Sequence, residues 1–280
     1  MDTPIFLAVL TAAAMHAGWN AVVKTGIDRF SSILLLALVQ ALIALPMLPF
    51  VTQPRASAWA WIVASAALHV GYKVFLIHAY KHGDLTQVYP LARGAAPMLV
   101  ALYMALVLAD PVSLKGFAAV AAIAGGVVLM TFKGGALLDR MHPVALAYAL
   151  GTATLTASYT IVDGIGARTA GTASGFILWM VVGDAIGMVL YGVAVRGGRV
   201  FNELRAAWQT GAIAGALSLG SYWVAVWAMT KAPIALVAAL RETSVMFAMF
   251  FGALFLREPL TRWRWAAAVL ISGGVVVMRL

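Results

Sequence analysis

Two arginines lie deep inside apolar stretches of the sequence, where a charged side chain needs a partner or a water-filled cavity. Arg93 and Arg241 each lie about eight residues into their stretch, roughly 12 Å along a helix that rises about 1.5 Å per residue. A guanidinium that faces inward presents a planar fork of donors that matches a carboxylate. The position indicates either recognition of an anionic group or a structural ion pair with Glu242 or Asp184. Arg93 is the stronger binding candidate, because Glu242 follows Arg241 directly whereas Gly94 follows Arg93.

Counting the ionisable residues inside the apolar stretches extends this prediction. Lys73, Arg93 and Arg241 oppose Asp184 and Glu242. If each acid neutralises one base, one positive charge remains for an anionic group on a bound molecule. Asp184 and Glu242 are also groups that could take up protons within a membrane, as are the histidines His16 and His69.

Polar and aromatic side chains with helical spacing supply further candidates. His16 and Asn20 share one helix face, as do His69 and Tyr72, and such pairs satisfy each other or contact a ligand. Aromatic side chains form flat apolar walls that suit rings, although each could equally pack against lipid or core. The predicted binding residues are His16, Asn20, His69, Tyr72, Tyr89, Arg93, Tyr159, Trp223, Trp227 and Ser244.

The sequence contains no pattern typical of an enzyme or a metalloprotein. His78 and His82 have the i, i+4 spacing of metal ligands, but the sequence offers no third ligand beside them. No nucleotide-binding loop and no Ser/His/Asp arrangement is evident. We therefore predict no metal site, no cofactor and no enzymatic activity.

The composition requires lipid as the main solvent of the chain. Hydrophobic residues make up 63% of the 280 residues, charged residues make up 10%, and the mean hydropathy is +0.95. A soluble domain of this length cannot hide so much apolar surface. The net charge of +9 comes without a basic run or a nucleic-acid motif, so it indicates lipid headgroups and membrane topology rather than nucleic acid.

Ten apolar segments are long enough to cross a hydrocarbon core of about 30 Å. They are predicted at residues 4–24, 31–51, 58–80, 85–108, 112–132, 143–162, 172–195, 206–229, 233–256 and 264–279. Charged residues, glycine and proline mark the joints between them. The predicted fold is an all-α integral membrane protein.

An internal duplication organises these segments. Residues 85–130 align without a gap on residues 233–278, with 14 of 46 positions identical, including Arg93 on Arg241 and Pro111 on Pro259. The chain is therefore predicted to contain one five-helix repeat in residues 1–140 and a second in residues 141–280. Because five is odd, the second repeat enters the membrane from the opposite side. Inverted repeats of this kind are typical of transporters, with the binding site between them near mid-membrane.

The fourth segment differs from its counterpart, the ninth, in its prolines. Pro90 and Pro97 lie inside the fourth segment, where the ninth has Ala238 and Val245. Proline removes a backbone donor and bends a helix. We predict a kinked fourth helix and a straighter ninth helix, which together form the unequal halves of a gate.

The distribution of basic residues predicts orientation and location. Eleven Lys and Arg residues lie at the joints after odd-numbered segments and five on the other face. The positive-inside rule then places the odd joints in the cytoplasm and both termini outside. We predict a multi-pass protein of a bacterial inner membrane, with the bilayer and a small-molecule substrate as partners, as a monomer or a weak homo-oligomer.

The chain resembles the drug/metabolite transporter superfamily, specifically its EamA-like ten-helix branch. The resemblance lies in the opening Met15-His16-Ala17-Gly18-Trp19-Asn20 through Lys24, in the acid-proline joints Asp110-Pro111 and Glu258-Pro259, and in the Gly-Gly-Val-Val endings at 125–128 and 273–276. Within that branch the chain is most similar to YddG-type aromatic amino-acid exporters. The resemblance implies a central cavity lined by the third, fourth, eighth and ninth helices, helped by the first and sixth, with the fifth and tenth outside.

Three functions follow as hypotheses. The first is a secondary transporter that exports amino acids with aromatic or large apolar side chains by alternating exposure of one cavity. The second is a secondary transporter with the same mechanism that exports lipophilic cations or drugs. An excess of buried positive charge disfavours this cargo. The third, from another class, is a lipid scramblase or an accessory membrane subunit, which predicts a groove open to lipid and no closed cavity.

Overall fold

A computed structural model describes residues 1–23, 28–82, 85–107, 113–130, 142–256 and 261–279. Apart from short loops, turns and 3-10 segments, the chain in these ranges is α-helical, and no strand occurs in them. The helices are α1 (Thr3–Val23), α2 (Arg29–Met47), α3 (Trp59–His82), α4 (Leu85–Leu106), α5 (Leu114–Leu129), α6 (Pro143–Ala170), α7 (Ala173–Arg196), the short α8 (Val200–Leu204), α9 (Trp208–Met229), α10 (Ile234–Arg241), α11 (Ser244–Leu256) and α12 (Arg262–Arg279).

Local sequence signals explain where several of these helices begin and end. Asp28 and Thr172 precede α2 and α7, and their side chains accept hydrogen bonds from backbone N–H groups of the first turn. Such caps satisfy donors that have no partner within the helix. Gly171 ends α6 with a positive φ of 70°, a conformation that glycine adopts without steric cost.

Many of the helices are long and apolar enough to cross a membrane. Among the described residues, six ranges meet this description: Arg29–Phe50, Ala56–Ala79, Pro143–Ala170, Ala173–Asn202, Trp208–Met229 and Ile234–Phe251. Leu91–Leu106 and Leu114–Leu129 are shorter apolar helices. The all-α membrane fold is therefore confirmed.

The contact between α5 and α12 shows that the two repeats are inverted. A Cβ on Gly126 would lie 3.0 Å from the Ala267 carbonyl oxygen and 2.5 Å from Ile271 Cγ1. A Cβ on Gly274 would lie 2.8 Å from both the Ala119 carbonyl oxygen and Ile123 Cγ1. The two sets of positions correspond to each other in the internal duplication. Since the end of α5 meets the beginning of α12, and the beginning of α5 meets the end of α12, these equivalent helices run antiparallel.

The other helix pairs follow the same twofold relation. Helix α1 packs along α9, and their counterparts α6 and α3 pack together. Likewise α2 packs on α9 as α7 packs on α3, and α4 packs on α6 as α11 packs on α1. Every one of these contacts joins one repeat to the other, so the repeats interdigitate. The boundary predicted between residues 140 and 141 stays a prediction, because residues 131–141 lie outside the described ranges.

The prediction of a straighter ninth segment is wrong. This segment is divided into α10 and α11, with turns at Glu242 and Thr243 between them. The turn hydrogen bonds run from Glu242 N to the Ala239 oxygen and from Thr243 N to the Leu240 oxygen. In contrast, α4 is one continuous helix despite Pro97. The interruption of the ninth segment therefore comes from the turn that places Glu242, and not from proline.

Candidate functional site

A small cavity of about 70 Å³ lies between the two repeats. Its lining comes from α1, α2, α3 and α4 of the first repeat and α6, α7, α9 and α10 of the second. The lining residues are His16, Trp19, Leu36, Gln40, His69, Tyr72, Lys73, Arg93, Tyr159, Met180, Val181, Asp184, Ser218, Tyr222 and Arg241. Pockets for small-molecule ligands typically measure about 300–1,000 Å³. The cavity can hold a few water molecules in this conformation, but not a molecule of ordinary ligand size.

Six of the predicted binding and proton-coupling residues meet at this cavity, together with Lys73 and Arg241. The six are His16, His69, Tyr72, Arg93, Tyr159 and Asp184. The rings of His69 and Tyr159 lie with their centroids 4.1 Å apart, and those of Tyr72 and Tyr159 are 5.4 Å apart. The six residues come from α1, α3, α4, α6 and α7, so the cavity is formed by helices that are distant in sequence.

Four other predicted binding residues do not line the cavity. The Asn20 amide donates to the carbonyl oxygen of His16 at 2.7 Å, and the indole N–H of Trp223 donates to Ser174 Oγ at 3.1 Å. Trp227 is 37% exposed on the outer surface. Ser244 is buried beside the break between α10 and α11. The side chains of Tyr89 and Pro90 lie outside the part of the structure that is described.

The cavity-facing side of α9 differs from the one predicted. Trp223 and Trp227 share a face, but Ser218 and Tyr222, also four residues apart, are the pair that lines the cavity. The sequence also did not indicate that α2 and α7 line the cavity. On α2, the Gln40 side-chain amide donates to Ser218 Oγ at 3.1 Å. In contrast, no lining residue comes from α5 or α12 as described, which agrees with the expectation that these helices pack outside.

Two ion pairs cross the site. Lys73 on α3 pairs with Asp184 Oδ2 on α7. Arg93 Nε on α4 donates to Glu242 Oε2 at 3.0 Å, and both side chains are more than 90% buried. The turn between α10 and α11 places Glu242 next to Arg93. Although Glu242 follows Arg241 in the sequence, it therefore forms its ion pair with Arg93.

The predicted surplus of one positive charge is wrong, because a third buried acid was overlooked. Asp163 on α6 is 0% exposed and accepts hydrogen bonds from Ser65 and Tyr222. The sequence-based boundary of the sixth segment was residue 162, just before this residue, whereas α6 continues to Ala170. With Asp163 included, three buried acids match three buried bases among the residues that the structure describes.

Arg241 is the cation at the cavity whose side chain forms no ion pair with any residue the structure describes. The residue is 8% exposed, and its guanidinium carbon lies 4.9 Å from the ring centroid of Tyr222. A cation over an aromatic face is held by the quadrupole of the ring while its N–H groups stay available. Among the acids, Asp184 has one carboxylate oxygen, Oδ1, that is buried without a hydrogen-bond partner among the described residues. Among the described residues, the site therefore offers the guanidinium of Arg241 as a donor and Asp184 Oδ1 as an acceptor.

Comparisons with known proteins agree with this architecture. A solved structure titled only "Crystal structure of protein" superposes with a TM-score of 0.80 and 16% sequence identity, covering 100% of this chain and 99% of that chain. At this identity the likeness shows the fold alone. No curated protein sequence matches the chain significantly. The profile of the EamA-like transporter family matches residues 3–132 and 143–280. Since that match spans nearly the whole chain, the protein belongs to the EamA-like transporter family, and it is a multi-pass membrane transporter of small solutes.

Proposed function

We propose that this transporter exports amino acids with aromatic or large apolar side chains by alternating exposure of its central cavity. This is the activity of the YddG-type exporters that the sequence resembles. The observation that carries the proposal is Arg241, a buried guanidinium at the cavity that forms no ion pair with any described residue.

The polar groups of the cavity suit the two charged ends of an amino acid. The carboxylate binds the guanidinium of Arg241, because a planar fork of N–H donors matches two carboxylate oxygens. The ammonium group donates to Asp184 Oδ1, which has no hydrogen-bond partner among the described residues. Both contacts replace hydrogen bonds to water that the amino acid loses on entering the site.

The walls of the cavity suit an aromatic or large apolar side chain. Trp19, Tyr72, Tyr159 and Tyr222 all contribute to the lining. Aromatic rings offer large contact areas and favourable edge-to-face packing against another ring. A small hydrophilic side chain would gain much less from these walls.

The volume of the cavity supports a mechanism in which the helices separate to admit cargo. About 70 Å³ is too little for an amino acid of this class, so we assign the conformation to an occluded state. Opening toward one side or the other of the membrane enlarges the cavity, and the antiparallel repeats allow the two openings to be related movements.

Export of lipophilic cations is the second candidate, and one observation favours it. With Asp163, the described residues contain as many buried acids as buried bases. The number of buried charges therefore no longer disfavours a cationic cargo. Arg241 still favours an anionic group at the site. Lipid scrambling receives less support, because the open groove between α4 and α5 is lined entirely by Gly, Ala, Met, Val and Leu, and a headgroup requires polar contacts.

Exchange across liposome membranes tests the proposal. Proteoliposomes loaded with unlabelled phenylalanine are placed in labelled phenylalanine, and uptake by counterflow is measured. We expect Arg241→Gln to weaken exchange by roughly 10- to 100-fold, because a hydrogen-bonded charge contact contributes about 1.5–3 kcal/mol. Arg241→Lys should retain part of it.

The control is Arg262→Gln, which removes an exposed arginine at the beginning of α12 and should leave exchange unchanged. A competition series with tryptophan, leucine, glycine and tetraphenylphosphonium separates the hypotheses. Competition by tetraphenylphosphonium but not by amino acids, abolished by Asp184→Asn, would establish the cation exporter instead. Unchanged exchange in Arg241→Gln would contradict the assigned carboxylate site.

A further inference from the structure

Asp163 and His69 form a buried pair beside the cavity that the proposed transport mechanism does not use. Asp163 Oδ2 lies 3.8 Å from His69 Nε2. Asp163 is 0% exposed, while His69 is 8% exposed and lines the cavity. The imidazole therefore faces the cavity, and the carboxylate lies behind it.

The hydrogen bonds of His69 fix which ring nitrogen carries its first proton. Nδ1 lies 3.0 Å from the carbonyl oxygen of Ser65, and a carbonyl oxygen only accepts, so Nδ1 must donate. Nε2 then carries a lone pair in the neutral imidazole. This lone pair faces a carboxylate oxygen of Asp163, an arrangement that one additional proton on Nε2 converts into an ion pair.

Asp163 has partners whether or not that proton is present. The hydroxyl groups of Ser65 and Tyr222 both donate to its carboxylate. Buried carboxylates require such donors or a cation, since an unsatisfied charge is costly at this depth. The site is therefore built for both the protonated and the unprotonated state of the imidazole.

The same residues connect the pair to the proposed carboxylate site. Tyr222 donates to Asp163 through its hydroxyl group, and its ring lies under the Arg241 guanidinium at 4.9 Å. Tyr159 packs on the His69 ring. A change in the charge of the pair thus acts on the side chain that positions Arg241.

Other charged and titratable groups surround the pair on every side. Lys73 on α3 is neutralised by Asp184 on α7, and Arg93 on α4 by Glu242. His16 on α1 also lines the cavity, but its Nδ1 accepts from the Trp19 indole at 3.3 Å and its Nε2 has no hydrogen-bond partner among the described residues. Within the described ranges, no ion pair joins a carboxylate to His16 as Asp163 is joined to His69.

We propose that the His69–Asp163 pair is the proton-binding site that couples transport to a pH gradient. In the proposed step, a proton passes from a hydronium ion in the cavity to Nε2 of His69, a new N–H bond forms, and water remains. The imidazolium then pairs with the Asp163 carboxylate, and the reverse step releases the proton after the cavity has opened to the other side. This inference rests on the proposed function, because coupling has meaning only if cargo crosses the membrane.

Two measurements test the proposal separately from the transport activity. The first compares net phenylalanine flux in proteoliposomes under an imposed gradient of about one pH unit with counterflow exchange at equal pH. One coupled proton changes the accumulation ratio about tenfold for each pH unit. We expect the accumulation ratio in Asp163→Asn and His69→Gln to become independent of the pH gradient, whatever rate of exchange each variant retains, and His142→Gln, at an exposed helix cap, to keep the response.

The second measurement needs no cargo. The purified protein in detergent micelles is labelled with ¹⁵N-histidine, and the signal that disappears in His69→Gln is assigned to His69. Its Nε2 signal should change with pH, and this pH dependence should be altered in Asp163→Asn and in the milder variant Tyr222→Phe.

The outcomes are distinguishable. Exchange without any response to the pH gradient in the unmodified protein overturns the coupling and leaves the proposed function intact. Absence of exchange contradicts the proposed function, and the histidine titration still decides the proton site. A His69 signal that does not titrate, or that is unaffected by Asp163→Asn, overturns the assignment.

Discussion

At the scale of single residues, Glu242 makes the two equivalent arginines different. It binds Arg93 at 3.0 Å, although it follows Arg241 in the sequence. The equivalent position in the first repeat is Gly94, where an added Cβ would lie 2.7 Å from Val128 Cγ2. Close packing of α4 on α5 therefore requires glycine there, and the acid occurs only in the second repeat.

Breaking this ion pair should destabilise the protein. Arg93→Gln and Glu242→Gln each leave one charge buried without its partner, and such changes cost about 3–5 kcal/mol. The double variant removes both charges, so we expect it to unfold at a higher temperature than either single variant. Thermal unfolding in detergent, followed by tryptophan fluorescence, measures this. A double variant that is less stable than both single variants would show that the pair does not act as a unit.

The surface pair between Asp28 and Arg196 gives a pH prediction. Burial alone would raise the pKa of Asp28 above its ordinary value of 3.8, but hydrogen bonds from Arg196 and Ser31 outweigh it and lower the pKa to about 2. A lowered pKa means that the pair stabilises the folded protein fully above about pH 4 and loses this effect as the pH falls through 2.

Arg196→Gln should move the pKa of Asp28 back toward its ordinary value, and the nearby exposed Arg199→Gln should not. The Asp28 side chain is 47% exposed, so solvent screening keeps the contribution to stability small. The carboxyl chemical shift of Asp28, titrated by NMR, is therefore the suitable measurement. An unchanged midpoint in Arg196→Gln would contradict the assigned cause.

At the scale of elements, two glycines fix the contact between α5 and α12. Gly126 and Gly274 lie against the backbone of the opposite helix, where an added Cβ would lie 3.0 and 2.8 Å, respectively, from a carbonyl oxygen of that helix. Their neighbours Gly125 and Gly273 face open space or ordinary contacts, the nearest atom to a Cβ on Gly125 being Leu270 Cδ2 at 3.7 Å. Each glycine pair thus supplies its own control.

Alanine at the packed positions should destabilise the protein. Gly126→Ala and Gly274→Ala force the helices apart, at a cost of about 1–3 kcal/mol for overpacking. Gly125→Ala and Gly273→Ala should be neutral or slightly stabilising, because alanine favours a helix. Thermal unfolding of the four variants measures the difference. Equal stability of the paired variants would contradict the close approach of these helices.

At the scale of the whole molecule, the small cavity requires a rearrangement before cargo can bind. The two ends of the interface are held by different contacts. At one end Arg168 on α6 donates to the carbonyl oxygens of Met229 and Ala232, each at 2.9 Å. At the other end Arg196 on α7 binds Asp28. Alternating access predicts that these ends open in turn.

Spin labels test this prediction, since the sequence contains no cysteine. One pair, Ser57→Cys with Lys231→Cys, spans the repeats at the end that contains Arg168. The other, Lys81→Cys with Arg199→Cys, spans them at the end that contains Arg196. Distances measured by electron paramagnetic resonance should lengthen at one end while they shorten at the other when phenylalanine is added. Distances that change together, or not at all, would contradict alternating access.

The sequence by itself determined the membrane fold, the two repeats and their inversion. Apolar segments must lie in lipid, and an odd number of them per repeat forces the opposite entry of the second copy. It also identified eight side chains that meet at the cavity, because a polar residue within a long apolar stretch must face other protein or water.

Only the tertiary structure decided which of these groups pair. Glu242 reaches Arg93 rather than Arg241 because a turn interrupts the ninth segment, and no proline in the sequence indicates that turn. Asp163 is buried because α6 extends past the drop in hydropathy and packs against α3 and α9. Pairing depends on the positions of helices that are far apart in sequence, and those positions follow from the packing of both repeats together.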